Sequence, residues 1–271
     1  MPELPEVETT LQGIKPWLLG QEIVAVNVFN ASLRWPIPTE INDIVGLTIE
    51  HLHRRAKYIL VKLSDQSHLL MHLGMSGVIR MVDSNEVYQK HDHFELVLGQ
   101  GKALRLNDPR RFGCVLLTSV DPAQHTLLQK LGPEPLSNDF DGQWLKKSAK
   151  KRQIAVKTFI MSNQVVVGVG NIYAAESLFL AGIRPTNQAT KISLNKYQQL
   201  AATIKQVLQK AIDLGGTTLK DFRNADGKPG YFKQELYVYG RAGQPCLVCG
   251  TVIKNQVIGQ RASCYCPKCQ K

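Results

Sequence analysis

The chain has 271 residues, 44% of them hydrophobic, which allows one large or two modest domains with ample cores. Lysine and arginine total 33 against 22 acidic residues, a formal net charge of +11, so the expected partner is a polyanion. No apolar run approaches the roughly eighteen residues of a spanning helix, and no basic-then-apolar leader opens the chain. A soluble, cytoplasmic protein that meets nucleic acid rather than membrane is therefore expected.

The first element begins at once. Met1 precedes Pro2-Glu3-Leu4-Pro5-Glu6, and a small residue in second position favours removal of the initiator methionine. Pro2 then carries a free secondary amine beside the Glu3 carboxylate. An α-amino group titrates near pKa ~8, about two units below lysine, so a neutral, nucleophilic fraction exists at pH 7. A secondary amine gives only a permanently cationic iminium, which is a strong electron sink. Proline also suits a helix start, where its missing N–H costs nothing. Leu4, Val7, Leu11, Ile14 and Leu18 recur at helical spacing and Gly20 offers a C-cap. The pattern predicts an amphipathic helix over roughly the first twenty residues.

From Glu22 to about Thr118 the pattern changes to short β-rich runs, separated by Gly, Asn, Asp and Ser. These are Ile23–Phe29, Tyr58–Leu63, His68–Leu73, Phe94–Leu98 and Cys114–Leu117, and they predict a β-sandwich or barrel. Cys114 reads as a small buried apolar residue. After Asp121-Pro122 the signal is helical through Leu214, with a domain boundary expected near residues 119–135. The clearest helix follows Ser193, a good N-cap, with Leu194, Tyr197, Leu200, Ile204, Val207, Leu208 and Ala211 on one face and Gly215-Gly216 as terminator. Gly215 to Phe232 is polar and glycine-rich, with Lys220, Arg223, Lys228 and Lys233 in or beside it, and reads as a long functional loop.

Five of six cysteines lie in the last 26 residues. Cys246-x-x-Cys249 and Cys266-x-x-Cys269 are separated by sixteen intervening residues, the spacing of a closed four-thiolate zinc site, expected to be structural. A pair of disulfides is the other reading, disfavoured in a reducing compartment. Cys264 lies outside the knuckle spacing and is left unliganded. Between the knuckles, Val257–Ser263 is a β-hairpin candidate with Arg261 near its tip.

Taken in order, these segments resemble the bacterial formamidopyrimidine-DNA glycosylases (the Fpg/MutM family). The resemblance covers nearly the full length. It rests on Pro2–Glu8, Arg54-Arg55-Ala56-Lys57-Tyr58, His72-Leu73-Gly74-Met75-Ser76-Gly77, Lys90-His91-Asp92-His93 and Asp108-Pro109-Arg110-Arg111-Phe112-Gly113. It continues through Leu131-Gly132-Pro133-Glu134-Pro135, Val167–Tyr173, Val238-Tyr239-Gly240-Arg241 and the zinc hairpin. Each segment alone is weak; the ordered set is specific. It implies an α+β fold: an N-terminal helix plus β-sandwich domain over 1–120, a helical domain with a helix–two-turn–helix over 121–235, and a C-terminal zinc-finger β-hairpin over 236–271. It implies one structural Zn2+, double-stranded DNA containing oxidised bases as partner, no membrane, and a monomer.

The resemblance also implies roles. Pro2 is the nucleophile, Glu3 the acid or proton shuttle, and Lys57 a contact to phosphate or to Glu3. Met75, Arg110 and Phe112 fill the space left by an extruded nucleotide, where a thioether, an aromatic ring and a guanidinium replace a lost base. His91, Lys157 and Asn171 bind DNA, Arg261 contacts flanking phosphates, and the Gly215–Phe232 loop covers the lesion. The reaction so implied is excision of oxidised purines through a Schiff base at Pro2, followed by β,δ-elimination. Core packing for Met75 and Phe112, and a solvated helix surface for Lys157, are the plain alternatives. A zinc-ribbon nucleic-acid-binding protein without catalysis would explain the charge and cysteines but not the Pro2-Glu3 start or the long polar loop. The related endonuclease VIII branch is disfavoured by Glu3-Leu4-Pro5 and by Arg110-x-Phe112.

Overall fold

The computed structural model describes residues 2–216 and 236–271. They fall into two compact units, one running to Gln129 and the other built from Lys130–Asp213 with the carboxy-terminal residues.

The first unit opens with α1 (Leu4–Leu18), followed by β1 (Ile23–Val28), β2 (Ile49–Arg55), β3 (Tyr58–Leu63), β4 (His68–His72), β5 (Val78–Asp83), β6 (Asp92–Leu98), β7 (Lys102–Asn107) and β8 (Cys114–Thr118). The apolar stripe of α1 is buried as its spacing predicts, with Leu4, Val7, Leu11, Ile14 and Leu18 each at most 3% exposed. The helix breaks at Leu19, whose backbone is extended (φ −62°, ψ 126°), and Gly20 at φ 77° completes a turn in which Gln21 N–H donates to the Leu18 carbonyl at 3.1 Å, rather than capping the helix itself. The strands form two antiparallel four-stranded sheets in the orders β1-β6-β7-β5 and β2-β3-β4-β8. One core fills the space between them, taking Ile59, Val61 and Leu69 from one sheet, Phe94, Leu96 and Leu104 from the other, and Val7, Leu11 and Ile14 from α1. Burying each such side chain contributes about 1.5–3 kcal/mol. The β-sandwich expected from the sequence is thus the fold, with the amino-terminal helix packed into its core.

Three strands escape the sequence pattern. β2 (Ile-Glu-His-Leu-His-Arg-Arg) and β7 (Lys-Ala-Leu-Arg-Leu-Asn) carry helix formers and charges, and β5 is short and mixed. Sheet position overrides propensity there. β7 is interior to its sheet, and the fully buried Arg105 on it faces away from the apolar core. Arg105 donates Nε to Glu95 on β6, directly opposite in register. Its other nitrogens donate to the carbonyls of Glu86 (2.6 Å) and Val87 (3.3 Å), and its guanidinium lies 4.7 Å from the Tyr88 ring centre. One cation thereby pins the 84–91 loop to the outer face of the sheet.

The second unit contains α2 (Gly142–Ala149), α3 (Val156–Ile160), α4 (Asn171–Leu180), α5 (Leu194–Asp213), β9 (Lys254–Ile258) and β10 (Arg261–Tyr265). α2 is capped by Asp141, whose carboxylate accepts from Trp144 N–H at 2.7 Å. α5 buries Tyr197, Leu200, Ile204, Val207, Leu208 and Ala211 as its periodicity predicts, while Leu194 in the first turn stays 41% exposed. β9 and β10 pair as an antiparallel hairpin. Together with Val238 and Ile253, the cysteine-bearing segments pack against Ala175 and Phe179 of α4.

Candidate active site and nucleic-acid interface

In the first unit the Pro2-Glu3 start is built into the helix it precedes. Pro2 and Glu3 are buried, and Glu3 is the N-cap of α1. Glu3 and Glu6 form a capping box, in which the Glu6 carboxylate accepts from Glu3 N–H at 2.8 Å. That N–H belongs to the peptide joining Pro2 to Glu3, so Glu6 orients the proline directly. A glutamate explicable from sequence by the helix dipole alone is therefore a fixed part of this turn. Glu8, further along the helix, holds Arg54 of β2 at 2.7 Å, and Arg54 in turn donates to the Ala56 carbonyl at 2.9 Å. The two-residue turn Ala56-Lys57 between β2 and β3, with Ala56 at φ 54°, is thus tied to the helix that Glu3 caps.

His72 closes β4 beside this turn, and sequence reasoning misses it. Its Nδ1 accepts from Gly74 N–H at 2.9 Å, so a neutral ring carries its proton on Nε2, a donor. Burial, then the positive charges of Lys57 and Arg34, push its pKa down to about 4. A histidine kept neutral among cations is suited to donating to a phosphate oxygen. Its place in the His72–Gly77 segment is the signal that could have found it.

Met75, Arg110 and Phe112 lie on two turns in direct backbone contact. Gly74 adopts φ 61°, and a Cβ there would sit 2.3 Å from the Phe112 carbonyl carbon. A Cβ on Gly113 would meet His72 O at 2.6 Å. Phe112 is 44% exposed, with the Arg110 guanidinium 4.8 Å from its ring centre. An exposed, cation-backed aromatic on a tight turn is not core packing. Arg34, Arg110, Arg111 and Phe112 line a cavity of about 450 Å³. His91, at φ 75°, ends the loop pinned by Arg105.

The second unit gathers the other residues. Lys157 does not lie on a solvated helix surface: it is 1% exposed. Its ammonium donates to Asn171 Oδ1 (2.6 Å), Ser263 Oγ (2.6 Å) and the Ala262 carbonyl (3.2 Å). Asn171 is the first residue of α4, after Gly170, and its amide also donates to Ala262 O at 3.2 Å. One buried cation therefore joins the start of α4 to the β9–β10 hairpin. The hairpin turns through Gly259 and Gln260, both at positive φ, which makes Arg261 the exposed first residue of the returning strand.

The sulfurs of Cys246, Cys249, Cys266 and Cys269 all lie within 4.8 Å of one another. The Cys249–Cys266 and Cys246–Cys269 separations are 3.5 and 3.9 Å. A tetrahedral Zn–S₄ centre with bonds near 2.3 Å requires about 3.8 Å, so the four thiolates fit one structural zinc ion. Cys264 faces Asn255 instead, at 3.9 Å. Of the Gly215–Phe232 loop, only Gly215 and Gly216 are among the described residues.

Comparisons with known proteins agree along the chain. Residues 1–115 match the formamidopyrimidine-DNA glycosylase N-terminal domain, 131–223 its H2TH domain, and 243–271 the zinc finger found in FPG and IleRS. The formamidopyrimidine-DNA glycosylases of Alcanivorax borkumensis and Hahella chejuensis are 56% and 52% identical, with full coverage of both chains in each case. Among solved structures, MutM (Fpg) from Thermus thermophilus is 35% identical, covering 99% of this chain and 98% of that one, with a TM-score of 0.90. The wild-type Lactococcus lactis Fpg (MutM), in complex with N7-benzyl-Fapy-dG containing DNA, is 33% identical with full coverage of both chains and a TM-score of 0.92. Sequence, fold and zinc module converge, and the chain belongs to the formamidopyrimidine-DNA glycosylase family.

Proposed function

We propose that this protein is a bifunctional DNA glycosylase and abasic-site lyase of base excision repair. It removes oxidised purines, 8-oxoguanine and formamidopyrimidines, from duplex DNA. The observation that carries the reading is the buried Pro2-Glu3 turn held by Glu6 at the head of α1. Supporting it, Lactococcus relatives of the same fold are described with Fapy-dG containing DNA and with abasic site containing DNA. The net charge of +11 suits a polyanion.

After Met1 is removed, the Pro2 nitrogen attacks C1′ of the extruded nucleotide. The N–C1′ bond forms as the glycosidic bond breaks, and the base departs carrying a proton. Glu3 protonates the sugar ring oxygen, and opening of the ring leaves the iminium. Its positive charge acidifies C2′–H, so proton loss there expels the 3′ phosphate; a second elimination expels the 5′ phosphate. Lys57, His72, His91 and Arg261 hold phosphates, and Asn171 at the head of α4 offers its amide to the same backbone. Met75, Arg110 and Phe112 occupy the gap. Zinc supplies structure only, by fixing the hairpin that presents Arg261. The three modules 1–120, 121–235 and 236–271 divide these tasks within a cytoplasmic, nucleoid-associated monomer. No helix of the described residues is long and apolar enough to cross a membrane.

The test is borohydride trapping on an 8-oxoguanine:cytosine duplex, with the amino terminus verified by mass spectrometry. A covalent protein–DNA band that disappears in Pro2→Gly and in Met1-retaining protein is expected. Duplex binding without any band would sink the reading and leave a non-catalytic binder.

A further inference from the structure

Met75 and the Arg110–Phe112 pair come from turns more than thirty residues apart, yet one hydroxyl joins them. Ser76 Oγ donates to Asp108 Oδ1 at 2.7 Å and accepts from Arg110 N–H at 3.2 Å. The other oxygen of Asp108 accepts from Gly113 N–H at 2.8 Å, and Asp108 is fully buried. The Asp108 carbonyl meanwhile takes Arg111 N–H at 3.0 Å and bonds a His93 ring nitrogen at 2.9 Å. Beneath this clamp, Gly74 leaves no room even for a methyl group against the Phe112-Gly113 backbone. The two turns therefore have little freedom to move apart while the Ser76 hydroxyl is in place.

We propose that Ser76 is a positioning residue for base extrusion: it locks the Met75 turn to the Asp108–Gly113 turn, so that Met75, Arg110 and Phe112 enter the duplex as one rigid wedge. The inference rests on the gap-filling role proposed above. Driving a base out of a duplex means unstacking and unpairing it, which a wedge achieves only if its parts hold their spacing under load. A buried carboxylate deprived of its hydroxyl donor loses a charge-assisted hydrogen bond, and the Arg110 backbone loses its acceptor. A preformed abasic nucleotide has no base to unstack and makes no such demand.

Full-length zinc-loaded protein, freed of Met1, is assayed as wild type, Ser76→Ala, Ser76→Cys and Ser76→Thr. Two single-turnover rates are measured: base excision from an 8-oxoguanine:cytosine duplex, and strand cleavage at a preformed abasic site. Ser76→Ala is expected to slow excision about tenfold and to leave abasic cleavage within about twofold. Ser76→Thr, which keeps the hydroxyl, restores excision to within about threefold of wild type, and Ser76→Cys, a weak donor of similar size, falls between. Excision unchanged in Ser76→Ala overturns the proposal. So does an equal loss of both activities that tracks a fall in Tm, since that is the mark of a merely structural serine. A wild-type protein that neither excises the base nor is trapped overturns the parent reading instead, and this inference with it.

Discussion

At the scale of single residues, the site depends on polar groups whose partners lie far away in sequence. Lys157 is the clearest case. Replacing it by Met leaves Asn171 Oδ1, Ser263 Oγ and the Ala262 carbonyl without their common donor. An expected cost of about 3 kcal/mol would lower Tm by roughly 5–10 °C, measurable by scanning calorimetry. His72 makes a prediction about acidity. Its folded pKa of about 4 lies below the ordinary 6.5, so below pH 6.5 the unfolded chain binds the extra proton. Stability therefore falls as pH drops from 6.5 towards 4, by up to about 3 kcal/mol from this group. Denaturant titrations of wild type and His72→Asn should diverge across that window and run parallel above it. Neither residue's partners are legible from sequence: the resemblance implies a DNA contact for Lys157 but not its three buried acceptors, and His72 is marked only by the segment it opens.

At the scale of elements, legibility follows the strength of the local pattern. α1 and α5 are readable from their apolar spacing, and the zinc hairpin from its cysteine knuckles. β2, β5 and β7 are not, since their residues take strand conformation from neighbouring strands rather than from their own preference. The paired turns around Gly74 and Gly113 announce themselves only as glycines. The structure supplies the reason: each leaves no room for a Cβ against a neighbouring backbone. Gly74→Ala combines that clash with a positive φ, so it is expected to cost more than the roughly 1 kcal/mol of an ordinary loop glycine. Its excision rate on an 8-oxoguanine duplex should fall by more than about tenfold in protein that still shows a folded circular dichroism spectrum.

At the scale of the whole molecule, the zinc centre and the start of α4, proposed above to meet the DNA backbone, are one structure. The cysteine segments pack on α4, and Lys157 joins the start of that helix to the hairpin. Chelating the metal should therefore cost more than local order at residues 243–271. Duplex affinity, followed by fluorescence anisotropy, is expected to fall at least about tenfold on zinc removal and to recover when zinc is restored under reducing conditions. Affinity unaffected by chelation would show that the hairpin contributes little to the interface.

The buried Arg105–Glu95 pair has a bearing on how the first unit finds its fold. The two residues sit opposite each other in the β6–β7 register, on the face away from the apolar core. Side chains alternate along a strand, so a slip of β7 by one position would turn the guanidinium inward among Phe94, Leu96 and Ile59. A bare charge in that setting is far more costly than anything the misaligned leucines could return. The slipped register is thus disfavoured by the charge it would bury unpaired, and one arginine helps to specify how β6 and β7 align long before any DNA is met.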